Sequence, residues 1–343
     1  AIIFTTGSTG PPKGVQYTHG IFYHQLQQIR DYYGIGPQDI DQPGFPLFGL
    51  FATALGAAAV IPDMDPTRPA ELDPVKFIRS LEDKQVTYSF GSPAIWNVVS
   101  RYCMEQNITL PVRKILMAGA PVPGELIERV QRIMPEDGDI HTPYGATESL
   151  PSTSITGREI LQETWEQTRI GKGTCVGCPL PGMRIAIIAP LDGPLSDWSK
   201  AEVLPAGTIG EIAVKGPVVT PAYDHNEQET RLAKIPDQDG LWHRMGDMGY
   251  LDEQGRLWFC GRKAHRVLTQ DGPMYTICCE AIFNEHPAVF RSALVGLGEP
   301  GKQQPVLTVE LHAKRSDNEE GLCRELRELA RANPLTSTIE IFM

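Results

Sequence analysis

Basic clusters, long apolar runs, repeats and low-complexity tracts are all missing from this sequence, and each absence narrows the field. The 343 residues hold 31 Lys and Arg against 42 Asp and Glu, a formal net charge of −11, with the acidic and basic residues spread along the chain. Such a surface repels phosphodiester backbones and anionic lipid, so neither nucleic acid nor a membrane surface is expected as a partner. Residues 48–61 form a stretch of fourteen without a charge or a turn residue other than glycine. That is below the ~18 of a bilayer-spanning helix, and it reads as a buried core helix; no transmembrane segment is expected. The seven cysteines are odd in number and irregularly placed. A reducing, cytoplasmic setting follows, and Cys175 and Cys178 read as structural thiols because no second ligand pair lies at zinc spacing.

What is present is an α/β pattern rich in turns. Apolar Ala1-Ile2-Ile3-Phe4 opens as a strand, the loop of residues 5–14 follows, and a helical stretch runs to about Tyr33. Strand, glycine loop and helix in that order suit phosphate binding at a helix N-terminus. Residues 115–118 form a buried-strand pattern, and residues 125–134 repeat apolar positions at helical spacing. Short strands at 184–188, 211–215 and 256–260, separated by Gly/Pro turns and a hairpin signal at Asp252-Glu253-Gln254-Gly255, predict a β-rich subdomain. Strands at 292–297 and 306–312 and a helix at about 318–332 close the chain. Both ends fall inside strand patterns, so the expectation is a piece of a longer gene product.

The densest chemical signal is Thr5-Thr6-Gly7-Ser8-Thr9-Gly10-Pro11-Pro12-Lys13-Gly14. Glycines let backbone amides approach a polyphosphate, hydroxyls add donors, and Lys13 adds a point charge, though the spacing is not that of a Walker A loop. Tyr144-Gly145-Ala146-Thr147-Glu148 offers a carboxylate of the kind a hard cation takes.

Together these segments resemble the adenylate-forming synthetases: acyl-CoA synthetases, luciferases and peptide-synthetase adenylation domains. The loop resembles the family's T-[ST]-G-[ST]-T-G-x-P-K-G signature, Gly119-Ala120-Pro121 its adenine-side loop, and residues 144–148 its Y-G-x-T-E motif. Val176-Gly177-Cys178-Pro179-Leu180-Pro181-Gly182 and Gly210-Glu211-Ile212 are similar to its structural turns, Trp242-His243-Arg244-Met245-Gly246-Asp247 to its W-[FY]-[RK]-T-G-D motif, and Gly261-Arg262-Lys263 to its hinge.

The resemblance implies ATP and Mg²⁺, with Thr6, Thr9, Lys13 and Glu148 in the chemistry and Glu148 on the metal. Thr5, Gly7, Ser8, Gly10, Gly119, Ala120, Pro121, Tyr144, Gly145, Ala146 and Thr147 would hold the nucleotide, and Asp247 and Arg262 the ribose. It implies a large α/β domain with a β-rich subdomain over residues 1–260, its N-terminal part missing, a hinge at 261–266, and an incomplete small α+β domain at 267–343.

The hinge departs from the family pattern at Ala264, at Asp271-Gly272-Pro273-Met274 and at Cys278-Cys279-Glu280, while His286-Pro287-Ala288-Val289 returns to it. The family's C-terminal catalytic lysine has no counterpart here; Lys263, Lys302 and Lys314 stand in other contexts. His19 matches a common Thr-His pair, with a packing role and a carboxylate-pocket role equally open. Residues 61–70 and 90–94 resemble the branch that makes β-lactones in long-chain olefin biosynthesis. That resemblance implies a long-chain β-hydroxy acid substrate, closure of the acyl adenylate by its own hydroxyl, no external thiol, and assembly with other olefin-pathway enzymes. The alternatives are a fatty acyl-CoA or acyl-AMP ligase and a non-catalytic acyl or nucleotide sensor.

Overall fold

The computed structural model describes residues 1–5, 7, 10–312 and 319–343. Its centre is a five-stranded parallel sheet in the order Ala58–Ala59, Ile40–Asp41, Tyr88–Gly91, Lys114–Met117, Asp139–His141. Parallel neighbours need crossovers, which the helices Pro74–Asp83, Pro93–Gln106 and Gly124–Gln131 supply. Local chemistry sets their starts: Asp73 and Ser92 are N-caps accepting from helix amides, each followed by proline at the first helical position. Ile95, Trp96 and Val99 from one helix and Leu126, Ile127 and Val130 from another pack on Ile115 and Met117 to form the largest core cluster.

A second, antiparallel sheet joins Arg184–Ile188, Gly210–Lys215, Gly240–Leu251, Leu257–Arg262, Thr174–Pro179, Ser149–Ser154 and Tyr144–Ala146 in that order, with Lys234–Asp237 paired on Gly240–Leu251. Asp252 closes the hairpin between Gly240–Leu251 and Leu257–Arg262, accepting from the Gln254 and Arg256 amides. The last part holds the helices Thr276–Asn284 and Glu319–Ala332 against a three-stranded sheet, Val289–Leu297, Gln304–Leu311 and Ile341–Phe342. Phe283, Leu307 and Leu326 centre its own core. The fold is thus α/β with a β-rich part and a smaller α+β part, as expected.

Several local expectations are corrected. Residues 48–61 are not one buried helix: a 3-10 turn Pro46–Phe48 and the short helix Gly49–Ala54 end at a turn, and Leu50 and Ile61 are exposed. Six helical residues leave Phe48 and Phe51 free to line a cleft instead. The predicted helix at 125–134 stops at Gln131, with Ile133 and Met134 buried beyond its end. The opening strand does not lead through its loop into a helix. Ile2–Phe4 pairs antiparallel with Gly14–Gln16, so the loop is a hairpin tip and the helix His19–Tyr33, capped by Thr18, starts only after the second strand. The strand Gly14–Gln16 therefore separates the helix N-terminus from the loop. His19 is exposed, which removes the packing role.

The segment at 261–266 holds the end of the Leu257–Arg262 strand and a 3-10 turn, Lys263–His265. Asn318 lies outside the described residues, and the last helix begins at Glu319. Among the described residues, no helix is long and apolar enough to cross a membrane.

Candidate active site

Thr6, Ser8 and Thr9 lie outside the described residues, as does Lys314. The rest of the loop is a closed hairpin tip. The Thr5 amide donates to the Lys13 carbonyl and the Lys13 amide to Thr5 Oγ1, both at 3.0 Å, and the Gly10 amide donates to the Gly7 carbonyl. The second strand is stitched to a distant segment: Gln16 N donates to the Ala222 carbonyl and Asp224 N to the Gly14 carbonyl. That stitch carries Tyr223 and the helix Glu227–Ala233 to the loop. The Lys13 ammonium pairs with Glu229 and stands 5.1 Å from the centre of the Tyr223 ring.

The hairpin made by Tyr144–Ala146 and Ser149–Ser154 holds the second motif. A Cβ at Gly145 would lie 2.5 Å from the Ser149 carbonyl, so the turn needs glycine there. Thr147 offers its carbonyl to the Tyr17 hydroxyl at 2.7 Å. Glu148 is buried, and its Oε1 accepts from the Tyr223 hydroxyl at 2.6 Å. Beneath it, Thr220 Oγ1 donates to the Glu148 carbonyl and accepts from Lys234 Nζ at 3.2 Å. Burial pushes the Lys234 amine down to about 7, against the pull of Glu148.

Asp247, on the Gly240–Leu251 strand, is buried with both oxygens engaged. The Tyr144 hydroxyl donates to Oδ2 at 2.6 Å, and Arg262 Nη1 donates to Oδ1 at 2.8 Å. Register places Asp247 opposite Arg262 on the neighbouring strand. Burial raises the Asp247 carboxyl above the usual range, and Arg262 and Tyr144 oppose that shift. Gly119, Ala120 and Pro121 lie exposed just past the strand Lys114–Met117. The neighbouring strand Asp139–His141 ends three residues before Tyr144, so the strand ends and the hairpin share one edge.

Two clusters result: Lys13, Glu148, Tyr223 and Glu229 on one side of the hairpin, and Tyr144, Asp247 and Arg262 on the other. The arrangement suits a nucleotide with its phosphates toward Lys13 and its ribose toward Asp247. Among the described residues no group of three His, Cys, Asp or Glu could hold a metal, so a cation on Glu148 would take its other ligands from outside the protein. That donor set fits Mg²⁺, which takes most of its ligands from phosphate and water, and does not fit a structural zinc. Gly119, left-handed at φ +98° with open space where a Cβ would project, leaves room for a flat ring beside the strand end.

Sequence reasoning missed Tyr223, Glu229 and Lys234. None belongs to a local motif, and only the backbone stitch at 222–224 brings the first two to the loop. A third buried ion cluster was also missed: Arg244 Nη2 donates to Glu211 Oε2 at 2.7 Å, and Lys263 Nζ donates to the same oxygen at 3.1 Å. It ties the 3-10 turn after Arg262 to the β-rich sheet.

Beside the hairpin opens a mainly apolar cleft. Ile29 on the first helix, Phe48, Phe51 and Phe90, and Leu116 and Leu150 line it. Phe48 stacks on Phe90 with ring centres 3.9 Å apart. Gln25, Tyr33, Asp41 and Tyr88 also reach it.

Superposed on solved structures, the fold is that of the adenylate-forming enzymes. It matches an O-succinylbenzoate coenzyme A synthetase from Bacillus subtilis, solved with ATP and magnesium, with a TM-score of 0.77 and 23% identity over 100% of this chain and 65% of that one. The chain belongs to the AMP-binding enzyme family, whose model matches residues 1–224. Among curated proteins it is 50% identical over 317 residues to an olefin beta-lactone synthetase of Xanthomonas campestris pv. campestris, which covers 91% of this chain and 56% of that protein. It is 46% identical over 346 residues to an olefin beta-lactone synthetase of Stenotrophomonas maltophilia, which covers 99% of this chain and 61% of that protein. The chain thus spans less than two thirds of the length of either relative.

Proposed function

We propose that the full-length protein activates a long-chain 2-alkyl-3-hydroxy fatty acid with Mg·ATP and closes it to a β-lactone. The observation that carries this reading is the 50% identity, over 317 residues, to a protein named olefin beta-lactone synthetase. The apolar cleft next to the nucleotide hairpin supports it, since a long acyl chain needs such a wall.

In the first step the substrate carboxylate attacks the α-phosphorus, and pyrophosphate leaves. Lys13 and the loop hydroxyls, Thr6 and Thr9 among them, offset charge on the phosphate oxygens, and Thr5 and Lys13 hold the loop closed. Glu148, oriented by Tyr223, would hold the metal. When bound, Mg²⁺ neutralises charge shared by the phosphates. Tyr144 and Thr147 with Gly145 and Ala146 shape the wall for the nucleotide, Gly119 to Pro121 border its base, and Asp247 and Arg262 bind the ribose. In the second step the 3-hydroxyl loses its proton to solvent and attacks the acyl carbon, the bond to AMP breaks, and a four-membered ring closes. Holding both groups in one molecule supplies the proximity. The protein works in the cytoplasm, alongside other enzymes of an olefin pathway.

Mass spectrometry of the product from ATP, Mg²⁺ and a 2-alkyl-3-hydroxy acid, with and without coenzyme A, tests the proposal. A β-lactone with AMP release supports it. A coenzyme-A-dependent thioester replaces it with the acyl-CoA ligase reading, and an acyl adenylate that goes no further replaces it with the acyl-AMP ligase reading. Absence of substrate-dependent pyrophosphate release leaves a sensor.

A further inference from the structure

Lys234 is buried, only 5% exposed, yet among the described residues its amine makes one hydrogen bond and no ion pair. It opens the strand Lys234–Asp237, and register sets it opposite His243. Burial pushes the His243 ring well below its ordinary value, with Lys234, Lys13 and Arg244 adding to the shift, so this neighbour stays neutral and supplies no counter-charge. The other two cations acting on His243 are matched, Lys13 by Glu229 and Arg244 by Glu211. An amine buried without a carboxylate costs the fold stability that an apolar side chain of similar length does not. A residue that breaks a folding rule in this way, beside a functional motif, is kept for something other than packing.

What the amine touches says what that is. Lys234 Nζ donates to Thr220 Oγ1 at 3.2 Å, and Thr220 Oγ1 donates to the Glu148 carbonyl at 3.1 Å. A hydroxyl has one proton, so a lysine donor on Thr220 leaves that proton for Glu148. The Thr220 amide donates to the same carbonyl at 2.9 Å, and Val219 pairs with Ser149 alongside. The Glu148 backbone is thus held from Thr220, while its carboxylate is held from Tyr223, three residues further on. Lys234 braces this arrangement from the end of the helix Glu227–Ala233, which also carries Glu229 to Lys13.

We infer that Lys234 is a positioning residue for the metal ligand: acting through the Thr220 hydroxyl, it fixes the backbone from which Glu148 projects. The inference rests on the reading of Glu148 as the Mg²⁺ ligand and adds the buried pair that holds it in place. The role does not require Lys234 to touch nucleotide or metal.

The test measures two quantities on full-length protein: the Mg²⁺ concentration for half-maximal pyrophosphate release in chelator-treated enzyme, and the denaturant midpoint. Lys234→Met and Thr220→Val should each raise the half-saturating Mg²⁺ by about threefold to tenfold, with a smaller effect on the rate at saturating Mg²⁺. Because one residue acts through the other, the double variant should be no worse than about the poorer single one. Thr220→Ser, which keeps the hydroxyl, should stay within about twofold of wild type. Lys234→Met should hold or raise the denaturant midpoint, whereas a lysine that only braced the fold would lower it. Removing a positive charge by itself would tighten Mg²⁺, so a lowered Mg²⁺ requirement in Lys234→Met overturns the inference. An unchanged requirement, additive effects in the double variant or a lowered midpoint overturns it too. Glu148→Ala separates the two readings: activity with the wild-type Mg²⁺ requirement removes Glu148 as the ligand and this inference with it. Loss of activity there, beside a wild-type requirement in Lys234→Met, overturns this inference alone.

Discussion

The Tyr223 hydroxyl donates a 2.6 Å hydrogen bond to Glu148 Oε1 across 75 residues of sequence. One oxygen of the carboxylate is thereby oriented by the protein. Such an outer partner fixes a metal ligand and commonly tunes metal affinity by about 10- to 100-fold.

Glu148→Ala is expected to abolish pyrophosphate release. Tyr223→Phe should raise the Mg²⁺ concentration for half-maximal rate by about tenfold with a smaller effect on the rate at saturation. Titrating Mg²⁺ back into chelator-treated enzyme measures both. An unchanged Mg²⁺ requirement in Tyr223→Phe would show that the hydroxyl does not position the ligand.

Lys13 is paired with Glu229, so a phosphate has to compete for the ammonium. Both side chains are about one-third exposed, which limits the pair to roughly 0–1 kcal/mol. Glu229→Gln should therefore lower the KM for ATP by up to about fivefold at low salt, with less effect at high salt, and Lys13→Met should raise it. Initial rates against ATP at two ionic strengths check the sign.

Glu211 accepts from both Arg244 and Lys263, and Glu211 and Arg244 are buried. Removing one carboxylate strands two cations. Glu211→Leu should cost about 3–5 kcal/mol of stability, seen as a shift of the denaturant midpoint. A loss under about 1 kcal/mol would mean that the Leu191 and Gly193 carbonyls, which Arg244 also reaches, suffice.

Asp41 makes stability depend on pH in an unusual direction. Its carboxyl releases a proton near 3.8 in the unfolded chain and at about 8 in the fold, so between those values the folded state holds more protons. Stability then falls as pH rises, by at most about 1.4 kcal/mol per unit from this group. Asp41→Asn removes that slope. Denaturant unfolding at pH 5 and pH 7.5 should show the variant gaining on wild type as pH rises; a constant gap would mean that Asp41 is already ionised in the fold.

Legibility in the sequence tracked locality. Residues 144–148 and 242–247 are contiguous, so their resemblance to family motifs is legible in the sequence, whereas cross-strand register sets Asp247 against Arg262. The caps Asp73 and Ser92, each followed by proline, are local as well, because capping acts within one turn. The run of residues 48–61 misled because apolar composition does not say whether a segment turns, and Gly56 at φ +82° makes it turn.

Taken alone, then, the sequence determined the family, the α/β class and the motif residues, since each depends on neighbours a few positions apart. Only the tertiary structure decided that Ile2–Phe4 pairs back onto Gly14–Gln16, that Glu229 holds Lys13 and Tyr223 holds Glu148, and that Phe48 stacks on Phe90 in an apolar cleft. Those relationships come from strand pairing and packing over long stretches of chain, and no local pattern encodes them.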